Sequence, residues 1–179
     1  MQKIYLLFIF GLMASTTQAQ EGVDEGSLFF GGNFGFNIGS NTTSINISPQ
    51  VGYRFNTTIA AGAGINFQYN SLKSDVSRIN QTVLGLNIFG RVYPVNFLFI
   101  QAQPEFNYIM SKIKFYPSNE IIKQPNIGVP SLLLGAGGVL SSGASNGGLI
   151  ISIFYDVLQD KNSPYGTQPI YNIGYNFGL

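Results

Sequence analysis

Large apolar residues and small polar residues alternate along most of this chain, and the pattern is most regular at its end. In an extended strand, neighbouring side chains point to opposite faces, so strict alternation predicts a strand with different surroundings on each face. One face of the last strand is apolar and aromatic, with Tyr171, Ile173, Tyr175, Phe177 and Leu179. The other face carries only Asn and Gly. This strand therefore needs an apolar environment on one side only.

The same alternation predicts eight strands in one domain. The runs cover residues 28–38, 45–55, 59–69, 83–92, 98–108, 132–140, 149–157 and 170–179. Three longer polar loops are predicted at residues 70–80, 111–126 and 159–169, and they alternate with short turns. An even number of strands, with turns at one rim and loops at the other, predicts an all-β, eight-stranded antiparallel up-and-down barrel.

The charged residues indicate which face of this barrel meets water. Charged residues make up 9% of the chain, against about 25% in an average soluble domain. A soluble barrel, the alternative, would point its large apolar residues inward and cover its outside with Lys and Glu. Within the predicted strands, the charges all lie on the small-residue face: Arg54, Arg91, Glu105 and Asp156. Because a Lys or Arg facing the bilayer centre would cost about 2–4 kcal/mol, the pattern predicts a transmembrane barrel with lipid against its large-residue face.

These four charged residues predict a polar plug inside the barrel, in which two positive charges balance two negative ones. Confined charges are usually satisfied by ion pairs and hydrogen bonds. An alternative is that Glu105 and Asp156 act together as a catalytic acid and base. Alternation assigns each residue to a face but does not fix the register between strands, so no individual ion pair is predicted.

The N-terminal segment has the three parts of a secretory signal peptide. Lys3 gives it a positive start, an apolar run covers residues 4–13, and small or polar residues end at Ala19, the predicted cleavage site. The apolar run is too short to cross a bilayer as a helix, which needs about 20 residues. We expect a signal peptide at residues 1–19 and a barrel domain at residues 20–179.

Several kinds of chemistry are excluded by composition. The chain has no Cys and no His, so it has no thiol nucleophile and cannot form a Ser-His-Asp triad. The Gly-rich residues 143–148 lack the Lys of a phosphate-binding loop. The near-neutral charge balance provides no basic footprint for nucleic acid. We predict no cofactor, no metal site and no enzymatic activity.

With this pattern, the chain resembles the small outer-membrane β-barrels of Gram-negative bacteria. It is similar to the OmpA-type and OmpX-type eight-stranded barrels, in the Asn- and Ile-rich style of Bacteroidetes members. The resemblance implies a location in the outer membrane, surrounded by its lipid. It also implies that the last strand is the signal read by the outer-membrane assembly machinery, although this chain ends in Leu179 where the family usually ends in an aromatic residue.

Three functions are consistent with such a barrel. The first is a structural or surface-interaction role, with the predicted loops facing outside toward a partner that the sequence does not identify. The second is a narrow pore for ions or very small solutes, since Asn, Gln, Ser and Gly line the interior. Five large inward residues would obstruct that pore: Phe29, Phe89, Phe99, Leu133 and Phe154. The third, a lipid-modifying membrane enzyme, is disfavoured by the absence of His.

Overall fold

The computed structural model describes residues 26–116, 118–141 and 147–178. The predicted signal peptide, residues 1–19, lies outside these residues, as does Leu179 at the end of the predicted assembly signal. No helix in the described part of the chain is long and apolar enough to cross a membrane.

The described residues form nine strands in one antiparallel sheet. They are β1 (Ser27–Ile38), β2 (Thr42–Arg54), β3 (Ile59–Lys73), β4 (Ser77–Val95), β5 (Leu98–Phe115), β6 (Ile121–Lys123), β7 (Ile127–Ser141), β8 (Gly147–Asp156) and β9 (Ile170–Phe177). Strand β1 pairs with both β2 and β9, and β5 pairs with β4, β6 and β7. The short β6 pairs only with the end of β5, so the other eight strands close the barrel in up-and-down order. The predicted fold class is confirmed.

The outside of this barrel is apolar and its inside is polar. On β4, Leu86 is 68% exposed and Ile88 is 63% exposed. Asn87 and Phe89, which alternate with them along the strand, are buried. The same alternation runs along β5, where Ile100 and Phe106 face outward. A closed barrel satisfies every backbone group within its wall, so its apolar exterior is suited to lipid and not to water. We call this exterior the apolar belt.

The two ends of the barrel differ. At one end, short turns at residues 55–58 and 96–97 join the strands, and both termini of the barrel lie there; we call it the turn end. The opposite end, the loop end, carries residues 39–41, 74–76, 116, 118–120, 124–126 and 157–169 between strands.

Two of the predicted long loops are wrong, because half or more of the residues in each are in strands. Strand β3 continues to Lys73 and β4 begins at Ser77, so only residues 74–76 connect them. Strand β5 continues to Phe115 and then pairs with β6. Residues 71–80, 111–115 and 121–123 thus extend the sheet beyond the apolar belt; we call this extension the projection. Sequence analysis predicted loops here because many of these side chains are polar. The hydrogen bonds between strand backbones do not require apolar side chains, so polar segments can also extend a sheet.

Residues 157–169 form a loop, in agreement with the prediction, but this loop turns toward the barrel interior. Tyr165 packs against the buried apolar cluster of the lumen, and its hydroxyl contacts Glu105. We call residues 157–169 the inward loop. Its position brings loop side chains to the inner face of the strands, where they complete the candidate site.

Candidate functional site

Arg91 occupies the lumen toward the turn end and is 3% exposed. Its guanidinium carbon lies 4.7 Å from the ring centres of both Phe89 and Phe99, and 5.6 Å from that of Phe29. Attraction between a cation and an aromatic face contributes about 2 kcal/mol when both are removed from water. The aromatic residues that obstruct the lumen therefore also stabilise its most deeply enclosed positive charge.

Glycines on the inner face make room for these rings. A Cβ atom at Gly52 would lie 2.2 Å from the Phe29 ring, and one at Gly137 would lie 2.5 Å from the Phe99 ring. Real Cβ atoms do not approach this closely, so each ring requires a residue without a side chain across the sheet. An alternation of small and large inner residues thus packs an eight-stranded lumen.

Amide side chains satisfy the polar atoms of Arg91. Its Nε donates to Gln101 Oε1 on the neighbouring strand, and its Nη2 donates to Gln50 Oε1 at 3.3 Å. With its amide oxygen turned toward Arg91, Asn176 accepts from Nη1 at 3.2 Å; which amide atom is oxygen is assigned from these contacts. The guanidinium is therefore hydrogen-bonded at all three of its nitrogens, Nε, Nη1 and Nη2. It makes no ion pair with a described carboxylate.

Arg54, the second positive charge, lies at the turn end of β2 and is also buried. Its guanidinium stacks over the Tyr93 ring at 4.1 Å, and its Nη2 donates to the backbone oxygen of Thr57 at 3.1 Å. Neither Arg54 Nε nor the Tyr93 hydroxyl has a hydrogen-bond partner among the described residues. Arg54 is thus less completely satisfied than Arg91.

Glu105 lies farther toward the loop end and is 5% exposed. Its carboxylate accepts hydrogen bonds from Asn66 Nδ2, from the Tyr165 hydroxyl, and from Gln103 Nε2 at 3.0 Å. Asn87 supports this group by donating to Asn66 Oδ1 at 3.3 Å. Burial and then the adjacent Glu105 charge raise the pKa of Tyr165 well above its ordinary value, so the phenol remains the donor in this contact.

Asp156 ends β8 and fixes the start of the inward loop. Its Oδ1 accepts from the backbone N–H groups of Leu132 at 3.1 Å and Leu158 at 3.2 Å. Its Oδ2 accepts from the Ser163 hydroxyl at 2.6 Å. Because its carboxylate accepts from both β7 and the loop, Asp156 ties the inward loop to the barrel wall.

All four charged residues of the predicted plug are buried inside the barrel, but the structure does not bring them into contact as ion pairs. The two arginines lie toward the turn end, and the two carboxylates lie toward the loop end. Amides, hydroxyls and aromatic rings, rather than opposite charges, surround each group. Among the described residues, no cluster of carboxylates is arranged to hold a metal ion.

Sequence analysis missed the partners of these charges. Gln101 and Gln103 share the inner face of β5 with Glu105, so their alternation was a usable signal. Tyr165 had no such signal, because it lies in a segment without periodicity. The inward direction of its loop depends on contacts with residues that are distant in sequence.

The predicted assembly signal lies in β9, which pairs with β8 and β1 at the seam of the barrel. Tyr171, Ile173 and Phe177 face outward and are exposed, whereas Tyr175 is partly buried. Recognition of this strand by the assembly machinery stays a prediction.

The inner face of the projection is apolar. Leu72, Ile79, Ile113 and Ile122 are successive cross-strand partners, so they form one row across β3, β4, β5 and β6. Leu72 is 50% exposed and Ile122 is 45% exposed. Nearer the barrel, Val83, Ile109 and Val129 form a buried cluster. The loop end thus presents apolar side chains above a filled lumen.

Comparison with known proteins identifies the fold. No protein-family model and no curated protein matches the sequence. The structure is similar to Neisserial surface protein A (NspA), with a TM-score of 0.52 and 10% identity, covering 89% of this chain and 100% of that one. It is also similar to Ail, the attachment invasion locus protein of Yersinia pestis, with a TM-score of 0.51 and 12% identity, covering 86% and 100%. This is the fold of the small outer-membrane β-barrels. Together with the apolar belt, it places the chain in the outer membrane.

In barrels of this fold, short turns face the periplasm and longer connections face the outside. We therefore expect the turn end of this barrel to face the periplasm and the loop end to face the outside. In that orientation, the projection would extend from the outer surface of the membrane, and the inward loop would close over the lumen from the same side.

Proposed function

We propose that this protein is a non-conducting barrel with a structural role in the outer membrane and a surface-interaction role at its extracellular end. The observation that carries the proposal is the filled lumen. Phe29, Phe89 and Phe99 surround Arg91 in one layer, and Tyr165 reaches Glu105 in the next. An ion crossing the barrel would have to displace both layers.

The projection supports the second part of the proposal. Exposed apolar patches on a water-facing surface are typical of interaction sites, and the row from Leu72 to Ile122 lies exposed on the inner face of the projection, above the mouth of the barrel. The two similar proteins are named a surface protein and an attachment invasion locus protein. Their low identity supports only an analogy of fold.

The proposal assigns no catalytic role to the buried carboxylates. Glu105 accepts from three side chains, and Asp156 accepts from two backbone groups and one hydroxyl. Each carboxylate is committed to structural hydrogen bonds, which leaves neither of them placed to exchange a proton with a substrate.

Conductance tests the first part of the proposal. The purified, folded protein is inserted into planar lipid bilayers, and we expect no discrete current steps across the voltage range that the bilayer withstands. A variant carrying Tyr165→Ala and Phe99→Ala removes one obstruction from each layer and serves as the positive comparison. Regular steps from the unmodified protein would contradict the filled lumen and favour the narrow pore.

Shortening the projection tests the second part. Asn70 and Gln81 are cross-strand partners, so replacing residues 71–80 by Asn-Gly closes the hairpin with a two-residue turn. We expect bacterial cells that carry the shortened protein to attach less to protein-coated surfaces and to other cells. The barrel itself should stay folded, so its mobility in SDS gels should still change when the sample is heated. The double variant Leu72→Asn/Ile79→Asn keeps the length and removes only the apolar side chains. Attachment equal to that of unmodified cells in both variants would contradict a surface role.

A further inference from the structure

Arg54 and Arg91 lie in one row on the inner face of the barrel, toward the turn end. Arg54 is the cross-strand partner of Ala60, and Ala60 is the partner of Arg91, so one small residue separates the two arginines. Neighbouring strands lie about 5 Å apart, which places the two arginine backbones about 10 Å apart. The guanidiniums are close enough for their like charges to repel each other. The turn end of the lumen therefore concentrates positive charge.

No carboxylate among the described residues balances this charge. Glu105 and Asp156 lie toward the loop end, and the other described charged residues belong to the projection or to the connections of the loop end. Gln101 donates to Gln103 at 2.7 Å, and Gln103 donates to Glu105 at 3.0 Å. These two glutamines separate Arg91 from the nearest carboxylate along β5. Buried charge is costly unless it is compensated, and the amides around Arg91 supply hydrogen bonds but no negative charge.

Two buried polar atoms beside these charges have no hydrogen-bond partner within the described part of the chain. They are Arg54 Nε and the Tyr93 hydroxyl, in side chains that are 2% and 3% exposed. The Tyr93 hydroxyl lies near both guanidiniums. Arg54 Nε can only donate a hydrogen bond, and the hydroxyl can also donate one. The missing partner is therefore an acceptor, and the surrounding positive charge favours an anion.

The neighbouring structure holds these donors in place. Arg54 Nη2 donates to the backbone oxygen of Thr57 at 3.1 Å, and the Arg54 guanidinium stacks on the Tyr93 ring. The backbone N–H of Tyr93 donates to the oxygen of Thr58, in the same turn, at 2.7 Å. The Tyr93 ring centre lies 5.8 Å from that of Phe99. Because the donors are enclosed by rings and a turn, the site suits a small anion and not a large polyanion.

We propose that Arg54 and Tyr93, backed by Arg91, form an anion-binding site at the turn end of the lumen. The ligand is a chloride ion or a single carboxylate. It would accept hydrogen bonds from the donors that lack a partner and would offset the repulsion between the two arginines. The site goes beyond the proposed surface role, and its ligand would complete the filled lumen at the end opposite the inward loop.

Such an anion can come from solution or from the chain itself. Glu21, Asp24 and Glu25 lie within the five residues before Gly26. The backbone N–H of Gly26 donates to the backbone oxygen of Arg54 at 2.9 Å. These acidic residues lie outside the described part of the chain, but they are close to the site along the sequence. A test of the site must therefore distinguish a free anion from a carboxylate of this chain.

Urea unfolding of the protein in phosphatidylcholine vesicles tests the proposal. The folded protein is titrated with sodium chloride and, separately, with sodium acetate as the carboxylate. An anion that binds only the folded state stabilises it by mass action. Each tenfold rise in anion concentration above the dissociation constant should thus lower the unfolding equilibrium constant about tenfold. We expect this dependence in the unmodified protein and in Lys161→Gln, an exposed control, and its loss in Arg54→Gln.

Two further variants sharpen the test. Tyr93→Phe removes only the hydroxyl, so the dependence should persist with an apparent affinity that is roughly tenfold weaker, because one hydrogen bond to a charged group is lost. Glu21→Gln/Asp24→Asn/Glu25→Gln removes the carboxylates of the chain. If only this triple variant responds to free anion, the chain's own carboxylate occupies the site in the unmodified protein, and Arg54→Gln and Tyr93→Phe are then measured in that background.

Three results would overturn the proposal. Equal anion dependence with and without Arg54→Gln would assign the effect to salt acting elsewhere. Absence of any dependence in both the unmodified protein and the triple variant would show that no anion binds. If Arg54→Gln does not fold, unchanged affinity in Tyr93→Phe would contradict the site. The conductance of each protein is recorded in parallel, so that failure of the anion site is distinguished from failure of the non-conducting lumen.

Discussion

In the half of the lumen near the turn end, Arg91 is surrounded by Gln50, Gln101, Asn176 and three aromatic rings, all of them on barrel strands. In the half near the loop end, Glu105 and Asp156 depend in part on Tyr165 and Ser163, which belong to the inward loop. Strand partners are fixed by the register of a closed sheet. Loop partners can leave without breaking any ladder hydrogen bond. The buried charge of Arg91 is thus held by barrel strands alone, whereas the buried charges of Glu105 and Asp156 also hold the inward loop in place.

The largest expected effect comes from removing Arg91. Arg91→Ala eliminates the contacts with three rings and leaves two glutamine side chains without their buried partner, so we expect about 3 kcal/mol of destabilisation. Arg91→Lys keeps the charge but not the planar guanidinium, so its free energy of unfolding should lie between those of the unmodified protein and Arg91→Ala. Urea unfolding in lipid vesicles measures both, with Lys161→Ala as a surface control. Stability equal to that of the control would show that strand partners do not fix this charge.

A smaller effect is expected from Asp156→Ala. The change removes the acceptor of two backbone N–H groups and of the Ser163 hydroxyl, so we expect about 2 kcal/mol of destabilisation. Asp156→Asn retains one oxygen acceptor and should be milder. Unfolding and trypsin cleavage after Lys161 are measured together, since that site lies in the inward loop. If stability falls without faster cleavage, Asp156 supports the barrel wall and does not tie the loop to it.

The smallest effect is expected from Tyr165→Phe, which keeps the ring and removes only the hydroxyl. Glu105 retains Asn66 and Gln103, so we expect a loss of about 1 kcal/mol. Cleavage after Lys161 should nevertheless accelerate, because the loop loses a buried contact. Tyr108→Phe is the control, since its hydroxyl accepts a hydrogen bond from Asn126 Nδ2 at 3.0 Å, away from the inward loop. Identical cleavage rates in the two variants would mean that the Glu105 contact does not hold the loop.

The sequence determined which residues face lipid and which face the lumen. Side-chain direction alternates in any extended strand, so alternation alone assigns Leu86 and Phe89 to opposite faces. The burial of Arg54, Arg91, Glu105 and Asp156 followed from the same parity. The outer-membrane fold followed because no charge fell on the large-residue face within the predicted strands.

Only the tertiary structure decided what those residues touch and where the strands end. Strand ends could not be predicted at residues 70–80, because polar side chains outside the bilayer are compatible with both loop and strand. Register is set by pairing across the whole sheet, so the placement of Arg54 and Arg91 in one inner row is invisible along the chain. The inward position of Tyr165 depends on Glu105, which is 60 residues away in sequence. Alternation is a local property, whereas register, strand extension and loop closure depend on contacts between distant segments.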